Sequence, residues 1–239
     1  MFLPTRENNY LLLFTIKILL LFTASLSYGS GKPDLVLLSD YHEDIGQVRE
    51  RVRIINKMAK SMDILLLEGH VFDPKKPVRS DSDLHVRLLV KSAAVFIQSY
   101  GWEEKESFEA AQESMQQFQK VFQPWAAKND ELREFFIREF QDSDKTPGEV
   151  RVSVPLPEAI YKLCQEKYFE GVIEKRNKSL RKTLQSLART TGSAKTIFVV
   201  IGKAHINEDL VSALAEDFNV VIPEVPATTR HVVLDYIQG

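Results

Sequence analysis

The chain has 239 residues, of which 44% are hydrophobic and 27% are charged, and this composition is typical of one globular domain. Its formal net charge of −2 provides no general attraction to phosphate backbones, which argues against nucleic acid as a partner. Cys164 is the only cysteine, so one chain can form neither an intrachain disulfide nor a metal site built from several cysteines.

The N-terminus has the pattern of a secretory signal peptide. Arg6 precedes the segment 10–26, which is nearly all apolar and is followed by small residues. Lys17 interrupts this segment and favours a cleaved signal, whereas the total length also fits an uncleaved membrane anchor. A misassigned start is the third interpretation. We therefore expect an exported protein, periplasmic or secreted, or one attached to the membrane through 10–26, and we exclude residues 1–30 from the predicted domain, which covers 31–239.

Two periodicities alternate in that domain. Residues 34–39 and 62–68 are continuous apolar runs, typical of strands that are covered on both faces, and a helical apolar stripe lies between them. Such a β-α-β unit makes the two strands parallel. The last third of the chain repeats the alternation, with a long helix over 157–189, a strand over 196–201, a helix capped by Asn207 and short strands near 219–223 and 231–237. The predicted fold is α/β, with a small, mostly parallel sheet flanked by helices.

A helical insertion, or cap, is predicted at about 80–145. It shows no strand pattern and is expected to form helices over about 81–100, 103–120 and 129–141. The insertion is rich in aromatic residues, which we expect to pack against one another and against the sheet. In a second interpretation the aromatic face lines a pocket for a flat or apolar ligand. The aromatic residues are Trp102, Phe108, Phe118, Phe122, Trp125, Phe135, Phe136 and Phe140.

Polar residues follow three of the predicted strands at the point where each strand ends. Because ligands of open α/β sheets bind outside the carboxyl ends of the strands, these residues are predicted to share one pocket. They are Asp40, Tyr41 and His42 after the first strand, Glu68 at the end of the second, and Gly202 and His205 after the late strand.

Two further polar residues lie on the long helix. Arg176 and Asn177 continue its apolar stripe, so both are expected to face inward. A buried guanidinium needs a charged partner, and we expect Asp40 and Glu68 to supply it. Arg176 then orients an acid, presents a fork to an anionic group of the substrate, or forms a structural ion pair. Asn177 either contacts the ligand or, in the interpretation we favour, supports the structure.

Four motifs of the chain resemble those of a known superfamily. They are Asp40-Tyr41-His42, Glu68-Gly69, Arg176-Asn177 and Gly202-Lys203-Ala204-His205.

The order and context of these motifs are similar to those in the erythromycin esterase-like proteins, the TraB/TIKI group and the ChaN-like haem-binding lipoproteins. That superfamily has Gly-Glu-x-His, Glu-Gly, Arg-Asn and Gly-x-x-His, and the resemblance covers 34–70 and 170–215. Ser39-Asp40 stands here in place of Gly-Glu. The resemblance implies an esterase, a metal-dependent peptidase or a haem binder.

The candidate residues suit two kinds of hydrolysis. In the first, His42 takes a proton from water, Glu68 orients its imidazole, and His205 or Arg176 stabilises the oxyanion. In the second, His42, Glu68 and His205 hold Zn²⁺, Mn²⁺ or Fe²⁺ with a position open for water. His70 could join this metal site if the strand continued past Gly69.

The leading hypothesis is an exported hydrolase that cleaves an ester or amide in a small molecule or peptide, with or without a metal. The alternative is a non-catalytic binder of haem or another planar ligand, with Tyr41 beside His42 as an axial group. A third possibility is a site that has lost its activity. His85, His231 and Cys164 are expected to be structural or, for the histidines, exposed.

Overall fold

The computed structural model describes residues 31–41, 44–60, 62–92, 97–140, 146–191 and 195–239. Pro33–Gly239 forms one compact unit. The predicted signal segment, residues 1–30, lies outside the described residues. Among the helices that the structure describes, none combines the length and apolar character needed to cross a membrane.

A five-stranded parallel sheet forms the centre of the unit, which confirms the predicted α/β class. The strand order is β3-β2-β5-β1-β6. The strands are β1 (Asp34–Asp40), β2 (Ile64–Val71), β3 (Gln98–Glu103), β5 (Thr196–Gly202) and β6 (Asn219–Val221), and β4 (Gly148–Leu156) belongs to a second sheet.

Helices cover both faces of this sheet. Helices α1 (Ile45–Met58) and α2 (Leu84–Ser92) pack on one face, and α6 (Lys175–Thr191) and α7 (Glu208–Ala215) pack on the other. Each apolar strand supplies side chains alternately to the two faces: in β1, Val36 and Leu38 face α1, while Leu35 and Leu37 face α6. The continuous apolar runs in the sequence are the consequence of this two-sided burial.

The prediction that the insertion contains no strand is wrong. Gln98–Glu103 forms β3, which pairs in parallel with β2 at one edge of the sheet. This strand is short and has a glycine at its centre, so its sequence alone carries neither a strand periodicity nor a long apolar run. Pairing with β2 stabilises it. Elsewhere in the described part of the insertion the regular structure is helical, as predicted, in α2, α3 (Lys105–Lys128) and α4 (Asp130–Phe140).

A second, two-stranded parallel sheet was not predicted. Its strands are β4 (Gly148–Leu156) and β7 (Arg230–Gln238). The strand expected at 231–237 is therefore present, but it pairs with β4 and not with the central sheet. One face of the pair packs on the insertion, in a core that contains Val154, Leu156, Phe118, Phe122, Trp125, Phe136, Leu234 and Tyr236. Aromatic side chains of the insertion thus pack into a core, as the first interpretation expected.

The long helix is continuous but not wholly α-helical. It begins with α5 (Glu158–Leu163), passes through an eleven-residue π-helix (Cys164–Glu174) and continues as α6. The sequence predicted one α-helix over this length. Cys164 is fully buried in the π-helix, and burial raises the pKa of its thiol to about 11, in line with the inert thiol expected there.

An irregularity in β2 lies beside the candidate site. The register between β2 and β3 shifts between Leu67 and Val71, and Gly69 has a φ of +80°. The sequence predicted that the strand ends at Gly69. In the structure the strand continues past this residue. The His70 carbonyl approaches Gly101 of β3 so closely that a Cβ at Gly101 would lie 2.0 Å from the carbonyl oxygen. Glycine at 101 permits the bulge that follows Glu68.

We expect Gly101→Ala to lower the free energy of unfolding by about 3 kcal/mol, because the added methyl group meets backbone and not a flexible side chain. Gly69→Ala is the matched control. Its Cβ would meet open space, so only the positive φ penalises it, by about 1 kcal/mol. Urea denaturation of the two variants measures the difference, and equal losses would contradict the close approach at Gly101.

Candidate active site

A buried guanidinium lies at the centre of the candidate site. The Nη2 atom of Arg176 is 2.8 Å from Oε1 of Glu68 and also donates to Oε1 of Glu103. Its Nε atom donates to the two carboxylate oxygens of Glu103 at 3.2 and 3.3 Å. The guanidinium carbon lies 5.3 Å from the ring centroid of Trp102. Arg176 therefore joins helix α6 to the ends of both β2 and β3.

Burial makes these charges interdependent. The exposed fraction of the side chain is 0% for Glu103, 6% for Glu68 and 13% for Arg176. Burial raises the pKa of Glu103, although its hydrogen bonds with Arg176 oppose the shift. Burial alone would lower the pKa of Arg176, but its hydrogen bonds to Glu103 and the charge of Glu68 raise it. The guanidinium therefore stays cationic inside the protein.

His205 is held against this cluster by Asn177. The Asn177 amide donates from Nδ2 to the carbonyl of His205 at 3.1 Å, which turns its Oδ1 toward the Nδ1 atom of the imidazole, at 2.8 Å. Because an amide oxygen can only accept, Nδ1 carries the proton, and because a guanidinium N–H can only donate, the Nε2 atom that faces it has the lone pair. Nε2 lies 3.3 Å from Nη1 of Arg176 and 3.7 Å from Oε1 of Glu68. Asn177 is thus a positioning residue, as the favoured interpretation expected.

The cluster lies where the sheet directs its helices to opposite faces. Strands β1 and β5 are neighbours, yet α1 after β1 packs on one face and α7 after β5 packs on the other. This divergence opens a crevice at the carboxyl ends of the strands. On the other side of β5, Glu68 of the neighbouring strand β2 accepts a hydrogen bond from the backbone N–H of Gly202 at the end of β5.

The predicted contact between Asp40 and Arg176 does not form. Its Oδ1 atom lies 2.7 Å from Nη2 of Arg51, a fully buried residue of α1. Arg51 is four residues before Ile55, on the buried face of α1, and its Nη1 atom also donates to the carbonyl of Ser39 in β1 at 2.9 Å. The position of Arg51 on the apolar stripe was the sequence signal that could have identified it. The expectation that Asp40 and Glu68 share Arg176 is correct only for Glu68.

The Arg51 network continues to two histidines. Nε of Arg51 donates to Nε2 of His85 at 2.9 Å, and Oδ1 of Asp83 lies 3.3 Å from Nδ1 of His85. The other oxygen of Asp83 lies 3.3 Å from Nε2 of His70. Burial opposes ionisation of Asp83, but its hydrogen bonds with His70 and His85 hold its pKa far below the ordinary range. Arg51, Asp83 and His85 border a cavity of about 410 Å³, which Asp40 and Glu68 also line.

Tyr41 lies in a separate polar group near the second sheet. Its hydroxyl donates to Glu149 of β4, and its ring stacks on His231 of β7 with the centroids 4.2 Å apart. Lys203 contacts both Glu149 and Tyr41. Its Nζ atom lies 2.8 Å from Oε2 of Glu149 and 5.4 Å from the centroid of the Tyr41 ring. His231 also bonds to Asp44 at 3.1 Å. The loops after β1 and β5 are thereby attached to the β4–β7 sheet.

A cleft of about 800 Å³ separates the candidate cluster from the second sheet. Glu68, Arg176 and the 202–206 segment line this cleft together with residues 231–236 of β7. The helical side of the cleft is apolar and contains Tyr168, Phe169, Val172 and Ile173. The volume is within the range of small-molecule and peptide sites, about 300–1,000 Å³.

His42 lies outside the described residues, so its predicted catalytic and metal-binding roles stay predictions. Within the described part of the chain, no group of three His, Cys, Asp or Glu residues is placed to hold a metal ion. Glu68 and His205 both face Arg176, and a metal between them would have to displace the guanidinium. These two residues do not fit the predicted metal site. His70 is directed to Asp83 and does not join them.

Glu103 was missed because β3 was missed. Glu103 is the last residue of β3, so the rule that placed Glu68 at a strand end would also have identified Glu103, although β2 itself continues past Glu68 to Val71. No protein-family model, curated protein or solved structure matches the chain.

We expect Arg176→Met to lower the free energy of unfolding by about 3–5 kcal/mol, because it leaves two buried carboxylates without their cation. Arg189→Met, an exposed position on the same helix, is the matched control and should change stability by less than about 0.5 kcal/mol. Chemical denaturation compares the two. Similar midpoints would show that the guanidinium contributes no more than a surface arginine.

The link between Glu149 and Lys203 should appear in the pH dependence of stability. Burial opposes ionisation of Glu149, but hydrogen bonds from Lys203, Tyr41 and Arg151 lower its pKa from 4.5 to about 2. A lowered pKa stabilises the fold above pH 4.5 and ceases to do so as the pH falls toward 2.

The thermal midpoint of Glu149→Gln should therefore lie below that of the natural protein at pH 7, and the gap should close as the pH falls through this window. Glu158→Gln, at an exposed position, is the control and should show no such closing gap. A gap for Glu149→Gln that stays constant with pH would contradict the expected role.

Proposed function

We propose that this chain is an exported hydrolase that cleaves the acyl C–O bond of an ester or the acyl C–N bond of an amide at the carboxyl edge of its central sheet. The observation that carries the proposal is the placement of one buried guanidinium, Arg176, against both Glu68 and His205 on the wall of the cleft. The motif order similar to that of the erythromycin esterase-like superfamily supports the same class of reaction. The N-terminal signal pattern supports the exported location.

Arg176 is the group best suited to stabilise an oxyanion. The sequence predicts that either His205 or Arg176 has this role. Because Nδ1 of His205 carries the proton and Nε2 has the lone pair, the neutral imidazole has no donor to offer toward Arg176 or the cleft. Arg176 has N–H groups on the cleft wall and a fixed orientation, both of which favour stabilisation of a developing negative charge.

A neutral imidazole accepts the proton of the attacking water. His42 is the base predicted from the sequence. Nε2 of His205, which faces Nη1 of Arg176 at 3.3 Å, can accept the proton when that N–H donates to the oxyanion instead. The water oxygen bonds to the carbonyl carbon, its proton passes to the imidazole, and the tetrahedral intermediate then expels the alcohol or amine, which takes that proton back. Glu68 is close enough to Nε2 of His205, at 3.7 Å from its Oε1 atom, to stabilise the imidazolium.

The haem-binding alternative has less support from the described residues. The phenol of Tyr41, its proposed axial group, already donates to Glu149, and its ring is stacked on His231. His231 is bonded to Asp44, and His205 to Asn177 and Arg176. A planar ligand would therefore depend on His42 as its axial group. The hydrolase is the better-supported function.

The experiment is an ester and amide hydrolysis assay with purified protein that covers residues 31–239. Glu68→Gln and His205→Ala should each lower kcat by about 100- to 10,000-fold, the usual contribution of a proton-transfer group and its partner. Glu113→Gln, an exposed glutamate of α3, is the matched control and should retain full activity.

Activity that survives in both Glu68→Gln and His205→Ala would contradict the proposed site. Titration with haem provides a separate readout. A Soret band that appears on addition of haem and disappears in His42→Ala, with no hydrolysis of any ester or amide, would favour the binder instead.

A further inference from the structure

The free edge of β7 borders the cleft. Six consecutive residues of this strand, 231–236, line the cleft wall. Side chains of a strand alternate between opposite faces, so a surface that touched one face would contact every second residue only. Contacts with consecutive residues place the edge of the strand, where backbone groups are presented, on the cleft wall, together with Arg151 of β4.

The pairing with β4 decides which backbone groups face the cleft. The N–H of Gly148 donates to the carbonyl of Thr229, and at the other end of the pair the N–H of Gly239 donates to the carbonyl of Leu156. In a parallel pair, alternate residues direct both backbone groups to the partner strand. The odd-numbered residues of β7 thus face β4, and the even-numbered residues face the cleft. Pro155 lies at the corresponding outward position of β4, where no N–H is needed.

Three residues therefore present backbone hydrogen-bonding groups to the cleft: Val232, Leu234 and Tyr236. All three are only partly exposed, and among the described residues no third strand pairs with β7. Partly buried N–H and C=O groups require partners, and a row of them is a template for another strand. The distance from 232 to 236 is about 13 Å at ~3.3 Å per residue, enough to pair with about five residues of extended chain.

We infer that the substrate is a peptide that binds in extended conformation as a third strand along the free edge of β7. This inference rests on the proposed hydrolase function and specifies its substrate class. Glu68, Arg176 and His205 line the same cleft as β7, so a peptide paired with β7 would share the cleft with them. Backbone pairing supplies affinity that is independent of sequence, and the side-chain environment supplies preference.

The two faces of the bound strand meet different surroundings. The face that Leu234 and Tyr236 share is apolar, because Tyr168 and Phe169 of the π-helix pack against it. On the other face, Asp235 is paired with Arg151 at 3.3 Å. A peptide strand beside β7 should therefore favour apolar side chains at every second position and polar ones between them.

The test uses a proline that removes one cleft-facing N–H. Val232→Pro deletes a donor on the cleft edge and leaves the bonds to β4 intact. Ser153→Pro is the matched control, because its N–H is on the outer edge of the same sheet, away from the cleft. Val232→Ala is a second control, which keeps the N–H. Urea denaturation checks that each variant is folded.

The substrates are an octapeptide library in which apolar and polar positions alternate and a small ester, p-nitrophenyl acetate. Val232→Pro should raise KM for the peptides by about three- to tenfold, equivalent to the loss of one hydrogen bond, and should lower the peptide-to-ester ratio of kcat/KM. Ser153→Pro should leave both activities unchanged. In a cleaved peptide, N-methylation of the alternate amides that face β7 should weaken binding, whereas N-methylation of the other set should not. This measurement needs no protein variant.

Hydrolysis of the small ester without cleavage of any peptide would overturn the inference and leave the proposed function standing. Equal peptide KM values for Val232→Pro and Ser153→Pro would also overturn it. If neither substrate is hydrolysed, the proposed function fails. Retention of the library on the immobilised protein then decides the inference, which is supported if Val232→Pro alone abolishes retention and overturned if no peptide is retained.

Discussion

The burial of Arg176 between Glu68 and Glu103 is the interaction on which the rest of the site depends. Two carboxylates at the ends of neighbouring strands would repel one another in a low-dielectric interior, and the guanidinium makes their proximity possible. Arg176 in turn is fixed by α6, whose leucines pack against the sheet. The position of the cation is thus set by helix packing, and the cation sets the geometry of Glu68 and His205.

The second sheet creates a cleft out of what would otherwise be an open sheet edge. Asp44 fixes it at one point, because this fully buried carboxylate caps α1 and also accepts the backbone N–H groups of Thr228 and Thr229 just before β7. Glu149 fixes it at another point through Tyr41 and Lys203. The described geometry therefore combines a fixed charge cluster and a backbone edge in one cleft, an arrangement suited to an extended substrate.

Much of the candidate site could be predicted because it obeys a local rule. Strand ends in a parallel sheet share one edge, so Asp40, Glu68 and Gly202 could be grouped from the chain alone. The inward direction of Arg176 followed from its place on an apolar helical stripe. The carboxylate partner of Arg176 could not be predicted in the same way, because Asp40 can pair with any buried cation. Only the packing of α1 on the sheet determines that Asp40 pairs with Arg51.

The sequence by itself determined the α/β class, the buried strands and the inward-facing polar residues, since each depends on periodicity within a short segment. The tertiary structure alone decided the strand β3, the β4–β7 pair and the cleft between the two sheets. These features depend on contacts between residues far apart in the chain: β3 forms beside β2, and β4 pairs with β7 about eighty residues later. A strand stabilised mainly by its neighbour carries a weak signal of its own, because strand propensity is largely a property of the surface on which the strand packs.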